Sequence, residues 1–205
     1  MSDKKCKIGI MGGTFDPIHT GHLVTAEAVR VEYDLDRVLF IPAANPPHKQ
    51  HFHVETPVHR YMMTVMATYS NPNFYVSPIE IERPGISYTI DTVLELIKQY
   101  GDNTELYFIV GSDTVQELPT WKEIDHLLEI CHFIAANRPG SVYTLDDIIK
   151  HFGVKGYNRI HSLPTPELEI SSTDIREKVR QGRSIKYIVP ESVENYILKE
   201  NLYRE

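Results

Sequence analysis

The chain predicts an α/β fold, a mostly parallel sheet with helices on both faces. Three observations predict it. Short apolar runs bounded by glycine or proline alternate with segments of helical periodicity almost throughout. The first run, KIGIM at 7–11, passes straight into two glycines and then a helical segment. A length of 205 residues, with 41% hydrophobic and 24% charged side chains, suits one globular domain spanning 1–205.

Each element has its own signal. KIGIM reads as a buried strand. HLVTAEAVRVEY at 22–33 sets Leu23, Ala26, Val29 and Tyr33 at helical spacing. RVLFIP at 37–42 is a second strand, stopped by Pro42. PVHRYMMTVMATY at 57–69 is a helix with Pro57 in its first turn. FYVSPIEIE at 74–82 reads as extended, and TIDTVLELIKQYG at 89–101 as a helix with a glycine stop. ELYFIVG at 105–111 is a strand, EIDHLLEI at 123–130 a helix, HFIAAN at 132–137 a strand and TLDDIIKHFG at 144–153 a helix. RIHSL at 159–163 is the last strand, and helices over about 173–181 and 190–200 close the chain. This order is of the Rossmann-like, doubly wound type, in which ligands bind beyond the carboxyl ends of the strands. The loops to inspect are therefore 12–21, 42–56, 111–122, 137–143 and 164–173.

Bulk properties narrow the function. The net charge of −7 opposes a broad nucleic-acid surface, which needs a basic face, but allows a small phosphate ligand. No apolar run approaches the ~20 residues of a membrane span, so no membrane partner is expected. The N-terminal apolar stretch is too short for a signal peptide, and a cytoplasmic protein is expected. Cys6 and Cys131 lie at the edges of apolar runs and read as small buried hydrophobes.

Two stretches carry chemistry. GGTFDPIHTGH at 12–22 is the first strand-to-helix loop. Its glycines let backbone approach a ligand closely, and the following helix N-terminus favours an anion. It matches neither the Walker A loop nor the dinucleotide fingerprint. His19 and His22 admit a structural role, a metal role or phosphate contact; the His-Glu-x-x-His spacing of a metal pair is missing. ISSTDIR at 170–176 puts three hydroxyls before a helix, with Ser171 and Asp174 in capping-box spacing and Arg176 and Arg180 one turn apart. It reads either as an ordinary N-cap with solvated arginines or as a second anion cradle.

Together these stretches resemble the nucleotidyltransferase superfamily, with its His-x-Gly-His and Ile-Ser-Ser-Thr-x-Ile-Arg signatures. PPHK at 46–49, SYTIDT at 87–92, GSD at 111–113, Trp121 and NRPG at 137–140 narrow the resemblance to bacterial nicotinate mononucleotide adenylyltransferases. The resemblance implies transfer of AMP from ATP to nicotinate mononucleotide, giving nicotinate adenine dinucleotide and pyrophosphate, a step in NAD biosynthesis. It implies Mg2+ bound mainly through the ATP phosphates, with no metal held by protein ligands. By motif, His19, His22 and Arg176 would be catalytic. Gly12, Gly13, Thr14, Phe15, Gly111, Asp113, Arg138, Ser172 and Thr173 would bind ATP. Lys49, Tyr88, Thr89 and Trp121 would bind the mononucleotide.

Several residues keep a plainer reading beside this one. Trp121 could be core packing, Lys49 a solvated loop lysine, and Asp16, as Asp-Pro, a shaper of the turn. The run holding His48, His51, His53 and His59 is read as a loop closing over the substrate rather than a metal cluster. A pantetheine-phosphate adenylyltransferase of the same fold and a non-catalytic nucleotide-binding regulator are the alternatives. The oligomeric state stays open, a homo-oligomer included.

Overall fold

Apolar side chains emerge from both faces of the strands, which is the pattern of a sheet covered on each side. In the strand Cys6–Gly13 (β1), Ile8 and Ile10 point to one face and Met11 to the other. Arg37–Pro42 (β2) sends Leu39 and Ile41 to the first face, Val38 and Phe40 to the second. Burying each of these side chains contributes about 1.5–3 kcal/mol. The computed structural model describes residues 5–45, 54–137, 145–166 and 168–204.

Four further strands complete the sheet: Phe74–Val76 (β3), Thr104–Gly111 (β4), His132–Asn137 (β5) and Ile160–Pro164 (β6). All pairings are parallel, and the order is β3-β2-β1-β4-β5-β6. The chain winds outward from β1 to β3, then returns to the other side of β1 to start β4. That reversal leaves a crevice beyond the carboxyl ends of β1 and β4.

Helices fill both faces. Thr20–Glu32 (α1) and Pro57–Thr68 (α2) cover one, burying Ala26, Val29, Met63 and Ala67. Ile79–Glu82 (α3) and Thr89–Tyr100 (α4) lie on the other, with Ile90, Val93 and Leu96 inward. Ser112–Val115 (α5) and Ile124–Ile130 (α6) follow on that side, then Leu145–His151 (α7) and Gly153–Arg159 (α8). Ser172–Arg180 (α9) and Glu191–Lys199 (α10) return to the first face through Ile175, Val179, Val193 and Ile197. No helix among the described residues is long and apolar enough to cross a membrane.

The structure corrects the sequence reading in three places. The segment 74–82 is extended only to Val76; IEIE alternates like a strand, but it forms one helical turn with Glu82 N–H on the Pro78 carbonyl at 2.9 Å. The helix expected over 144–153 ends at His151, and a separate helix follows. There Gly156 meets α7 so closely that a Cβ would stand 2.3 Å from the Ile149 carbonyl oxygen. The loop 111–122 contains α5 and a 3-10 turn at Leu118–Thr120.

Candidate active site

Two cavities open beyond the carboxyl ends of β1 and β4. The smaller, about 290 Å³, is lined by His19, Gly21, His22, Thr165 and Ile170 among others. The larger, about 670 Å³, is lined by Thr14, Glu80, Tyr88, Thr89, Trp121 and Lys122 among others. Gly12, Ile109, Val110, Gly111 and Thr114 belong to both walls, so the two spaces meet at the crevice. Gly12 is tightly placed there: a Cβ would lie 3.0 Å from the Phe108 ring.

The smaller cavity sits at the start of α1. His19 is the residue before the helix, in extended backbone, and His22 lies in its first turn. Their rings stack at 3.7 Å, and Phe15 meets the His22 ring edge-on at 5.1 Å. The His19 N–H donates to Nδ1 of His22 at 3.2 Å. That bond requires Nδ1 to be unprotonated, which places the proton of the neutral ring on Nε2. Burial, and then the neighbouring His19, hold the His22 pKa well below the ordinary histidine value. His22 is therefore a neutral Nε2–H donor at neutral pH, in the first turn of a helix whose Thr20 and His22 N–H groups are taken by the Ile188 and His19 carbonyls at 3.0 Å. A donor at the positive end of a helix suits an anion.

The second signature stretch comes up against the first. Ser172 Oγ donates to the Pro17 carbonyl at 2.9 Å, and Ile170 flanks Gly21. Ser171 caps α9, its Oγ accepting the Asp174 N–H at 3.1 Å. Arg176 is turned into the first loop, where Nη1 donates to the Asp16 carbonyl at 2.7 Å and Nη2 to Thr173 Oγ1 at 3.3 Å. It lies in the wall of neither cavity. Arg180 pairs with Glu177 along the helix.

The larger cavity is more aromatic. Trp121 stands edge-on to Phe108 at 5.6 Å and to Phe133 at 6.0 Å, so it both packs on the core and faces the cavity. Tyr88 precedes α4 and Thr89 opens it. The Lys122 ammonium lies over the Tyr88 ring at 4.6 Å and reaches Asp91 at 3.5 Å. Glu80 accepts the Thr92 hydroxyl at 2.8 Å, and burial raises its pKa.

Of the residues singled out by sequence, the structure brings His19, His22, Gly12, Gly13, Thr14, Gly111, Tyr88, Thr89 and Trp121 to these cavities. Phe15 is buried beneath the loop. Lys49, Arg138 and the side chain of Asp113 lie outside the described residues, as do His48, His51 and His53 with the loop expected to close. His59 sits in α2 and shares a 2.8 Å hydrogen bond with the Tyr196 hydroxyl. Cys131 is buried as expected, its thiol pushed up to about 12; Cys6 is only partly covered.

Sequence reasoning missed Glu80, Lys122 and three residues beneath the first loop: Arg60, Tyr203 and the full role of Asp16. For Arg60 there was a signal. It shares the inward face of a helix with Met63, Thr64 and Ala67, where an arginine needs a partner.

The chain is similar to known proteins over its whole length. The family model described as cytidylyltransferase-like matches residues 10–178. A relative from Thermoanaerobacter sp., named "Probable nicotinate-nucleotide adenylyltransferase", is 55% identical across 99% of this chain and 97% of its own. Relatives of the same name from Moorella thermoacetica and Corynebacterium glutamicum are 53% and 45% identical, over 97% and 98% of this chain and 92% and 90% of their own. A solved structure of Plasmodium falciparum nicotinic acid mononucleotide adenylyltransferase complexed with NaAD superimposes with a TM-score of 0.78 at 22% identity, covering 97% of both chains. The chain belongs to the cytidylyltransferase-like family and, within it, to the nicotinate-nucleotide adenylyltransferases.

Proposed function

We propose that this protein transfers the adenylyl group of ATP to nicotinate mononucleotide, forming nicotinate adenine dinucleotide and pyrophosphate. One observation carries the reading. A small polar cavity at a helix start adjoins a larger aromatic one, and they share a wall at Gly12, Gly111 and Thr114. Two substrates held this way meet where a bond between them must form.

The mononucleotide phosphate oxygen attacks the α-phosphorus of ATP. The bond from that phosphorus to the bridging oxygen breaks, and pyrophosphate leaves with the electron pair. A phosphate monoester has its second pKa near 6, so it is largely ionised at neutral pH and needs no base. The protein must align two anions and stabilise charge spreading over the phosphoryl oxygens. The neutral Nε2–H of His22, at the positive end of α1, supplies a donor for that charge. His19 orients His22 through its backbone N–H and its stacked ring. Ser172 and Thr173, opening α9, face the same polyphosphate, with Arg176 fixing the loop from behind.

In the larger cavity Trp121 stacks on the pyridine ring, and the N–H groups opening α4 at Tyr88 and Thr89 receive its carboxylate. Lys49 meets the mononucleotide phosphate, and Asp113 and Arg138 meet the adenosine. Mg2+ would be held beside the smaller cavity mainly by the ATP phosphate oxygens and by water, which it keeps readily. Bound there, it would neutralise charge on the leaving pyrophosphate. Both substrates are soluble nucleotides, in keeping with one cytoplasmic domain over 1–205 that engages neither membrane nor nucleic acid.

The test is pyrophosphate release with ATP and Mg2+, comparing nicotinate mononucleotide, nicotinamide mononucleotide and phosphopantetheine at equal concentrations. Release with the nicotinate substrate and much less with the others is expected. Release only with another acceptor would discard the roles of Tyr88, Thr89 and Trp121; no release with any would overturn the reaction.

A further inference from the structure

A fully buried arginine lies beneath the loops that follow β1 and β2. Arg60 is 1% exposed, and its guanidinium donates to three backbone carbonyls. Nε reaches Glu55 at 2.8 Å, Nη1 reaches Thr14 at 2.7 Å and Nη2 reaches Ala44 at 3.3 Å. These carbonyls belong to two loops: Thr14 to the loop after β1, and Ala44 and Glu55 to the two ends of the loop between β2 and α2. Thr14 and Ala43, next to Ala44, line the larger cavity. The Ala43 N–H also bonds the Gly13 carbonyl at 2.9 Å, so the first two loops are joined directly as well.

The opposite charge facing this arginine comes first from Asp16. The Asp16 carboxylate is almost completely buried and accepts the hydroxyl of Tyr203 at 2.8 Å. Arg176 stands 3.8 Å from the same carboxylate and holds the Asp16 carbonyl. A residue from the C-terminal turn thus reaches under the first loop.

We infer that Arg60, with Asp16 and Tyr203, is a positioning device that fixes the loops on either side of the reacting phosphates relative to one another. The inference rests on the adenylyl-transfer reading. None of the three belongs to the walls of the two cavities described, so they act through Thr14, Ala43 and the turn before His19. A buried charge is costly, and an apolar side chain of similar volume could fill the same space. It could not hold three carbonyls from the two loops at once, as a guanidinium fork does. Transfer between two bound anions is sensitive to such placement: a displacement of about 1 Å can cost on the order of 100-fold in rate.

The test compares Arg60→Lys and Tyr203→Phe with the wild type. Lysine keeps the charge but offers one ammonium in place of the fork; phenylalanine removes one hydroxyl and no volume. Turnover should fall tenfold or more in Arg60→Lys and about threefold in Tyr203→Phe, with KM for each substrate within threefold of wild type and unfolding still cooperative. Amide hydrogen exchange over residues 12–16 and 43–45 should quicken in both. Unchanged turnover in a folded variant, even with a lowered melting temperature, would reduce the group to a packing role and overturn the proposal. Should Arg60→Lys fail to fold, Tyr203→Phe decides alone. If the wild type released no pyrophosphate with any acceptor, the reaction reading would fail separately. Hydrogen exchange would then decide the positioning claim, and unchanged exchange would end it.

Discussion

His19 and His22 stack at 3.7 Å at the carboxyl ends of the strands; His132 and His161 stack with ring centres 5.2 Å apart at the amino ends. Burial is the first cause that lowers the pKa of His22 in the one pair and of His132 and His161 in the other. They differ in what their nitrogens meet. At the amino ends, Arg159 donates to His132 Nε2 at 2.8 Å, so His132 Nδ1–H must donate to His161 Nε2 at 3.0 Å. Tyr107 stacks on His132 at 4.8 Å, and a second guanidinium nitrogen of Arg159 holds the Glu129 carbonyl at 2.9 Å. Both ring nitrogens of His132 are engaged by protein. At the carboxyl ends, Nδ1 of His22 is so engaged, its Nε2 has no protein partner among the described residues, and its ring faces a cavity. The same side chain, equally neutral, serves as a strut in one place and a ligand donor in the other, according to whether its second nitrogen is already bonded.

The largest test of that contrast is His22→Ala. Turnover should fall about 100-fold or more, as when one transition-state donor is removed, with ATP affinity changing far less. Steady-state kinetics and ATP titration check it, and near-normal turnover would erase the functional half of the comparison. Trp121→Ala sharpens the picture on the mononucleotide side. KM for the mononucleotide should rise about tenfold, in line with the loss of one ring stack, and KM for ATP much less. An equal rise in both would return Trp121 to core packing.

His132→Phe probes the structural half. It keeps a ring beside Tyr107 but leaves Arg159 without its nitrogen partner. A loss of about 1 kcal/mol, or ~2–4 °C in melting temperature, is expected, with kcat unchanged. A fall in kcat at full folding would mean the amino-end pair also reaches the chemistry.

The last test is in pH dependence. Burial, then Arg159 and His161, push the His132 pKa down to about 4. In the unfolded chain histidine titrates near 6.5. The folded state therefore binds fewer protons between these values. The contribution of His132 to stability is complete above about pH 6.5 and is lost as pH falls toward about 4. The melting temperature of the wild type should drop more steeply over this window than that of His132→Phe. Parallel curves would show that other groups set the acid limb.

How far this was legible in the sequence varies by element. β2 and β5 are read at their observed bounds, because each is a short apolar run closed by a turn or a polar residue. α8 was not read: Gly153 and Gly156 weaken helix propensity by up to ~1 kcal/mol each, and packing against α7 overrides that loss. The IEIE segment misled for the opposite reason, since alternation over four residues fits one helical turn as well as a strand. Within the site, the HTGH and ISST stretches announced themselves through glycines, imidazoles and hydroxyls at a strand-to-helix junction. The tie of Arg176 to the Asp16 carbonyl was not legible, because nothing local shows where a guanidinium turns.

The sequence by itself determined the parallel sheet, the loops that carry the site and the residue types able to meet phosphate. These follow from periodicity and composition, which act over a few neighbouring residues. Only the tertiary structure decided that Arg176 would hold the Asp16 carbonyl across 160 positions and that Tyr203 would reach Asp16 across 187. It also decided that His22 would keep a donor for a ligand while His132 would not. The physical reason is common to all three: a hydrogen bond is set by distance and direction between groups, and local sequence carries neither once the chain has turned back on itself.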